Sequence, residues 1–145
     1  MSTGSEDAST TAEMRTLSEP ECYELLAVAT VGRIGFASAS GIKILPVDYR
    51  LGGGHRLFVQ TNRHGTIGQL AEAHAPAAFE VDYHASDFTI AWSVLMNGTL
   101  GFLDSAASAA YNELRLPPVP WPSLASPIPV QFLPQTISGR ELFRH

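Results

Sequence analysis

Cysteine is nearly absent from this chain of 145 residues, in which Cys22 is the single one. One thiol cannot form an internal disulfide, and it cannot supply the thiolate set of a structural zinc site. Chains without disulfides are the norm in a reducing compartment, so we predict a cytoplasmic protein. Cys22 falls on the apolar stripe of a predicted helix, which favours a small buried hydrophobe over a nucleophile.

Basic residues are scarce, since Lys43 is the one lysine and the formal net charge is −5. No run of lysine or arginine could neutralise a phosphate backbone, so we expect no nucleic-acid partner. The chain also lacks the stretch of about 18 consecutive apolar residues that a membrane-spanning helix needs. Its first residues lack the basic and apolar regions of a signal peptide. We therefore expect neither membrane insertion nor secretion.

Metal-binding and hydrolase motifs are missing as well. The sequence contains no Glu-x-x-His or His-Glu-x-x-His helix and no Gly-x-Ser-x-Gly elbow. The five histidines show no metal-ligand spacing, so we predict no metal site. They are His55, His64, His74, His84 and His145.

The composition that remains is that of one folded domain. Hydrophobic residues make up 45% of the chain and charged residues 16%, which is an ordinary globular balance. Residues 1–14 are mostly Ser, Thr, Ala and acidic residues, and we predict a disordered tail there. Residues 15–145 are predicted to form a single domain.

Three helices are predicted among the strands. The segment Ser18-Glu19-Pro20-Glu21 has the form of a capping box with proline in the first turn, and predicts a helix to about Thr30. Helical spacing of apolar residues predicts two more, over 65–74 and 105–115.

The remaining apolar segments have the alternation of strands. Residues 31–61 predict three antiparallel strands, with turns at Gly41 and at 52–54. Strands are also predicted over 78–83 and 88–103, the second long enough to need a bend at Gly98 or Gly101. A last, interrupted strand over 131–142 would close a barrel, after a proline-rich extended loop over 117–134 with Trp121 as its anchor. The fold class is therefore mainly β with a few helices.

The best candidate for an anion site runs from a strand end into a helix. Thr61-Asn62-Arg63-His64-Gly65-Thr66 carries a cation and two hydroxyls, and helix N-termini present free N–H groups. Thr66 would also serve as an ordinary helix cap, so the motif is weak by itself.

Seven segments in order resemble the flavin-binding split barrels of the pyridoxamine 5′-phosphate oxidase-like family. They cover residues 17 to 142, nearly the whole folded chain. The segments are Leu17 to Leu26, Val31 to Phe36, Pro46 to Tyr49, Thr61 to Thr66, Phe79 to Asp82, Trp92 to Val94, and Gly139-Arg140.

The resemblance implies a split β-barrel homodimer with two FMN molecules at the subunit interface, each touched by both chains. It places the extended backbone of Pro46, Val47, Asp48 and Tyr49 along the flavin ring edge. Proline inside a strand withholds a ladder hydrogen bond, so Pro46 is expected at an edge or a bulge.

The other cofactor residues that the resemblance implies come from three segments. Thr61, Arg63, Gly65 and Thr66 are expected to hold the phosphate. Trp92 would cover the ring and Ser93 would donate a hydrogen bond, both from the partner subunit, while Arg140 would lie near the cofactor. An ordinary core tryptophan and a surface arginine are the alternative interpretations of Trp92 and Arg140.

Three departures from the family pattern weaken the cofactor site. Ile67 stands where a lysine is usual, Asp48 where asparagine is frequent, and Met96-Asn97 where an arginine is common. Because a charge-assisted phosphate contact is worth roughly 1.5–3 kcal/mol, we expect Ile67→Lys to raise FMN affinity if residue 67 lies near the phosphate.

The sequence supports two functions. The first is an FMN-dependent oxidoreductase acting on a small molecule, with Tyr49 and His84 as the nearby proton donors; a deazaflavin coenzyme is a close variant. The alternative is a noncatalytic protein that binds or senses a flavin, a deazaflavin or haem at a degenerate site. The residues do not identify a substrate.

Overall fold

The computed structural model describes residues 12–116 and 127–144. Seven strands and three helices follow one another along the chain. The strands are β1 (Ala12–Thr16), β2 (Val31–Ser38), β3 (Gly41–Gly52), β4 (Arg56–Asn62), β5 (Pro76–His84), β6 (Ile90–Phe102) and β7 (Pro127–Arg144). The helices are α1 (Glu19–Val28), α2 (Thr66–Glu72) and α3 (Ser105–Glu113).

All seven strands belong to one antiparallel sheet that closes on itself. The strand order is β1-β7-β4-β3-β2-β5-β6, and β6 also pairs with β7. This last pairing makes a barrel of six strands, with β1 added to the outside edge of β7. The predicted mainly β fold is confirmed, and the last segment closes the barrel as predicted. It does so as one continuous strand from Pro127, so residues 127–134 belong to β7 and not to the predicted loop.

Glycines make the sharp changes of direction that the sequence predicts. Gly41 and Gly54 have φ angles of 121° and 73°, which side chains with a Cβ avoid. The register between β6 and β7 shifts at Asn97 and Gly98. The predicted bend of the long strand therefore lies at Gly98.

The barrel is split between β3 and β4. Residues 41–48 of β3 pair with β2, whereas pairing with β4 starts at Tyr49 and runs to Gly52. In β4, the pairing with β3 ends at Val59, so in the described chain Gln60 to Asn62 pair with β7 alone. Pro46 lies in the stretch with one neighbour, where its missing N–H costs no ladder hydrogen bond.

Side chains alternate between the barrel interior and the outer face. The interior contains Ile34, Tyr49, Val59, Phe79 and Val94, each 1% exposed or less. Helices α1 and α2 pack against this core through their own buried residues, which include Leu26 and Ala71. A separate small cluster joins α3 to the outside of β4 through Phe58. In the described residues no helix has the length and apolar character required to cross a bilayer.

The structure differs from the sequence prediction at the first strand. Residues 12–14 do not belong to a tail, because β1 pairs with β7 from Ala12↔Arg144 to Thr16↔Arg140. All five β1 residues are exposed, so the sequence carries no apolar pattern there to reveal the strand. Residues 1–11, most of the predicted proline-rich loop, and Trp121 lie outside the described residues.

The predicted capping box of α1 is present and is coupled to β1. Ser18 Oγ accepts from the Glu21 N–H, and the Glu21 carboxylate accepts from the Ser18 N–H at 2.9 Å. Arg15 Nη2 lies 2.8 Å from the other carboxylate oxygen of Glu21. The hydrogen bond from Arg15, then those from Ser18, lower the pKa of Glu21 from 4.5 to about 2.

We expect the Glu21→Gln variant to be less stable than the parent protein at neutral pH and equally stable near pH 2. A depressed pKa contributes stability that is complete above 4.5 and is lost as the pH falls towards the folded-state value. Glutamine keeps the hydrogen bond to Ser18 and removes the charge. Melting temperatures of both proteins across this pH range test the expectation. A difference that persists unchanged at pH 2 would contradict it.

Candidate functional site

The split leaves an open backbone edge along the first part of β3. Pro46 and Asp48 are exposed on the outer face of this stretch. Across the split, Asn62 Oδ1 and Gln60 Oε1 are buried and have no hydrogen-bond partner among the described residues. A buried acceptor without a partner costs free energy unless a ligand, a water or another chain satisfies it. Asn62 lies within the predicted anion segment but was not among the predicted cofactor residues.

The predicted phosphate segment follows β4 directly at this end of the barrel. The Arg63 guanidinium lies 5.0 Å from the centre of the Phe102 ring, on the last residue of β6. Gly65 is the N-cap of α2 with no side-chain cap, and Thr66 is the first helical residue rather than the cap. Thr61 is half-buried on β4. The structure therefore brings Thr61, Arg63, Gly65 and Thr66 to one end of the split.

A close contact fixes the start of α2 against this segment. A Cβ on Gly68 would lie 2.1 Å from the Arg63 carbonyl oxygen and 2.7 Å from that of Asn62. No side chain larger than hydrogen fits at this distance without moving the backbone. Glycine at position 68 thus allows the Arg63 backbone to lie against α2. This close contact fixes the point from which the Arg63 side chain extends.

Val47 and Tyr49 lie on the opposite face of β3 and point into the core. Tyr49 is 1% exposed, and its hydroxyl donates to the Leu26 carbonyl at 2.7 Å. Burial raises the pKa of Tyr49 to about 12. This hydroxyl holds α1 on the barrel, and it is not placed to transfer a proton to a ligand on the outer face.

Ile67 also lies in the core. Its side chain is 8% exposed and belongs to the same hydrophobic cluster as Ala71 and Val59. The expected gain in phosphate affinity from a lysine at this position required residue 67 to face the split. The structure instead gives Ile67 the role of a packing residue under α2.

A second group of predicted residues lies at a surface cavity of about 340 Å³. Ser93 and Arg140 are register partners on β6 and β7, so they share one face. The strands β1, β5, β6 and β7 and the hairpin after β5 form the walls. The lining residues are Met14, Asp82, Tyr83, His84, Phe88, Ala91, Trp92, Ser93, Arg140, Glu141 and Leu142.

Trp92 also lines this cavity, but its side chain lies on the opposite face of β6 from that of Ser93. It alternates with Ser93 along β6 and belongs to the core cluster with Val94, and it is 8% exposed. The structure therefore places Trp92 as a core tryptophan, which the sequence left open as the alternative. Little of its ring is available to cover a flavin in this chain.

The two groups lie far apart within one chain. Arg63 contacts Phe102 at the end of β6, whereas Ser93 lies nine residues earlier on the same strand. At a rise of about 3.3 Å per residue this is roughly 30 Å along the strand. One FMN molecule is too short to touch both groups of the same chain.

Between the two groups the outer face combines charged and apolar side chains. Arg33 Nη1 lies 2.8 Å from Glu80 and 2.9 Å from Asp82. Burial raises the pKa of Glu80, while a hydrogen bond from Glu80 and the Arg33 charge lower the pKa of Asp82. Three large apolar residues of β2, β3 and β6 are exposed around them, namely Val31 (55%), Ile44 (65%) and Leu95 (44%).

Comparison with protein families gives a match over most of the chain. A family model described as pyridoxamine 5′-phosphate oxidase matches residues 18–141. No protein of curated function matches the chain.

The fold is also similar to solved structures. The FAD binding protein from Mycobacterium smegmatis has 26% identity and a TM-score of 0.70, over 88% of this chain and 98% of that one. A FAD-binding protein from Mesorhizobium loti has 22% identity and a TM-score of 0.71, over 91% and 98%. The FAD and heme binding protein from Mycobacterium smegmatis has 17% identity and a TM-score of 0.64, over 86% and 71%. At such identities the last two show a shared fold alone.

Proposed function

The chain belongs to the pyridoxamine 5′-phosphate oxidase family, and we propose that two copies of it bind flavin at their interface and use it to oxidise or reduce a small molecule. FMN is the cofactor proposed. The observation that carries the proposal is the split, where an unpaired strand edge faces the segment that contains Arg63.

The residues at the split fit a flavin mononucleotide. Extended backbone from Pro46 to Asp48 offers donors and acceptors to the pyrimidine edge of the ring. Asn62 Oδ1, which lacks a partner among the described residues, can accept a hydrogen bond there. Arg63, Thr61 and Thr66 supply a charge and hydroxyl donors for the phosphate. Ile67 stands where the family pattern has a lysine and packs in the core, so it adds no charge for the phosphate, which predicts modest affinity.

The distance between the two residue groups supports a site made by two chains. In a two-fold dimer, the split of one chain faces the Ser93 and Arg140 cavity of the other, and each flavin lies between the two and leaves the cavity open to a second ligand. The outer face fits this use, since Val31, Ile44 and Leu95 leave apolar surface to cover. On that face the Glu80 and Asp82 carboxylates are both paired with Arg33.

A bound flavin would supply the hydride or electron transfer, so the protein needs to bind, orient and exclude water. Tyr49 is removed from the list of proton donors by its burial. His84 remains, because it lines the cavity and its Nδ1 lies 3.1 Å from the Ala85 carbonyl. A carbonyl can only accept, so this contact favours a proton on Nδ1 and leaves Nε2 as the nitrogen that takes up a proton from a ligand in the cavity and returns it.

FAD is a second candidate, favoured by the 26% identity with the FAD binding protein from Mycobacterium smegmatis. Haem and deazaflavin remain alternatives to flavin. An absorption spectrum of the purified protein, followed by mass analysis of what denaturation releases, distinguishes all four. Flavin bands with the mass of FMN support the proposal. Purified protein that is colourless and does not bind added FMN or FAD would overturn it.

The two-chain site predicts that one substitution removes both the dimer and the flavin. We expect Ile44→Glu to sediment as a monomer and to bind FMN at least tenfold more weakly, because it places two carboxylates inside an apolar interface. The matched control is Val28→Glu, since Val28 is 76% exposed and belongs to α1 and not to the strands that carry this apolar surface. A monomeric Ile44→Glu protein with full flavin affinity would show that one chain makes the site.

A further inference from the structure

The cavity beside β6 has the construction of a site for a small organic ligand. Its floor is low because Ala91 and Ser93 are small and their side chains lie on the same face of β6. Their register partners are larger and rise on both sides, with His84 on β5, and Leu142 and Arg140 on β7. Met14 extends the second wall from β1. The result is a slot along the strand.

One wall of the slot ends in an exposed aromatic residue that is held in a strained conformation. Phe88 has a φ of 57°, although left-handed backbone is unfavourable for a bulky side chain. Its side chain is 51% exposed, so no core packing compensates for the strain. An asparagine or a glycine would form the same turn at lower cost.

The hairpin around Phe88 is nevertheless held by several hydrogen bonds and a ring contact. The Asp87 carboxylate accepts from the Thr89 N–H at 3.1 Å and from its hydroxyl at 2.8 Å. The Phe88 N–H donates to the Ala85 carbonyl at 2.9 Å. The Phe88 ring stacks on His84 with their centres 4.6 Å apart and the planes 5° from parallel. This arrangement presents one face of a fixed aromatic pair at the edge of the slot.

The cation that the cavity leaves for an anion is Arg140. The Asp82 and Glu141 carboxylates each lie beside an arginine, although a second carboxylate shares each of those arginines. Arg140 is exposed and has no ion pair or hydrogen bond among the residues that the structure describes. Arginine binds carboxylates through two parallel hydrogen bonds, so a free guanidinium at the end of a slot selects for them.

We propose that this cavity binds a small planar aromatic acid, with its ring against the His84–Phe88 pair and its carboxylate on Arg140. A volume of about 340 Å³ is at the small end of ligand pockets, which suits one or two fused rings. That this ligand is the substrate rests on the proposed flavin function, whereas its binding does not. Arg140 then faces the substrate next to the cofactor.

The test is calorimetric titration of the flavin-free protein with 2-naphthoate and with its neutral amide, 2-naphthamide. We expect the acid to bind about tenfold or more tightly than the amide, because one charge-assisted contact separates them. In Arg140→Gln the two should bind equally. The matched control is Arg144→Gln on the same strand, outside the cavity, which should keep the preference for the acid. Melting curves of each variant show that it is folded.

The Phe88→Asn variant tests the effect of the Phe88 ring on ligand binding without a loss of stability. Asparagine tolerates left-handed backbone, so we expect a melting temperature equal to or above that of the parent. Loss of the ring contact should weaken both probes roughly two- to tenfold. The proposal is overturned by a parent protein without saturable binding of the acid, by an acid preference that survives in Arg140→Gln, or by unchanged affinity in Phe88→Asn. Loss of flavin binding alone would leave these titrations unaffected.

Discussion

The Ile67→Lys variant is expected to melt about 10 °C below the parent protein and to gain no FMN affinity. Ile67 is 8% exposed and packs in the main core, so a lysine there loses apolar contacts and brings an ammonium group into an apolar site. We expect a loss of about 3 kcal/mol in the free energy of unfolding, which corresponds to this shift in a chain of such length. Thermal melting and fluorescence titration with FMN measure the two effects.

Ile67→Met is the matched control. It keeps the volume and the apolar character, so its cost should stay below about 1.5 kcal/mol. The outcome that would contradict the placement is a stable lysine variant with tighter FMN binding that weakens as salt is added. In such a protein the side chain of residue 67 would face the phosphate and not the core, as the family pattern suggests.

The Gly98→Ala variant is expected to lose about 3 kcal/mol or more of its unfolding free energy. A Cβ at this position would lie 2.0 Å from the Leu133 carbonyl oxygen. Gly98 lies where the register between β6 and β7 shifts. The obstacle is backbone, which cannot rotate away as a side chain would. The barrel must open locally or shift the strand, and both changes disrupt its closure. Urea unfolding monitored by circular dichroism gives the difference.

Gly101→Ala on the same strand provides the comparison. Its Cβ would lie 3.5 Å from His74 Nδ1, which is an ordinary contact. We expect a change within about 0.5 kcal/mol. Equal losses in both variants would mean that glycine is needed along β6 for backbone freedom and not for the close approach at residue 98.

The elements that could be predicted are those with a local chemical cause. The capping box of Ser18 and Glu21 begins α1 as predicted, and Gly41 and Gly54 turn the chain at the predicted hairpins. The long β6 strand bends at one of the two glycines expected. Because each of these features depends on a few neighbouring residues, the sequence contains the information to locate it.

Features that depend on the exact register or packing between distant segments were not predicted. Trp92 and Ser93 are adjacent, yet only the register with β7 decides that Ser93 shares a face with Arg140 and that Trp92 joins the core. The burial of Ile67 was not predicted either. Helix periodicity shows which residues share a face of α2 with Ile67, but not which residues pack against that face. The strain at Phe88 left no sequence signal, because nothing in the residue type suggests a left-handed turn.

The position of β7 in the chain sets when folding can be completed. This strand pairs with β1, β4 and β6, which come from the beginning, middle and later parts of the chain. Until a ribosome has synthesised residues 127–144, β4 and β6 have free edges, and such edges pair readily with other chains. Because the closing contacts join remote segments, refolding should be slow for a domain of this size. A chain shortened before residue 127 should aggregate and not form a smaller barrel.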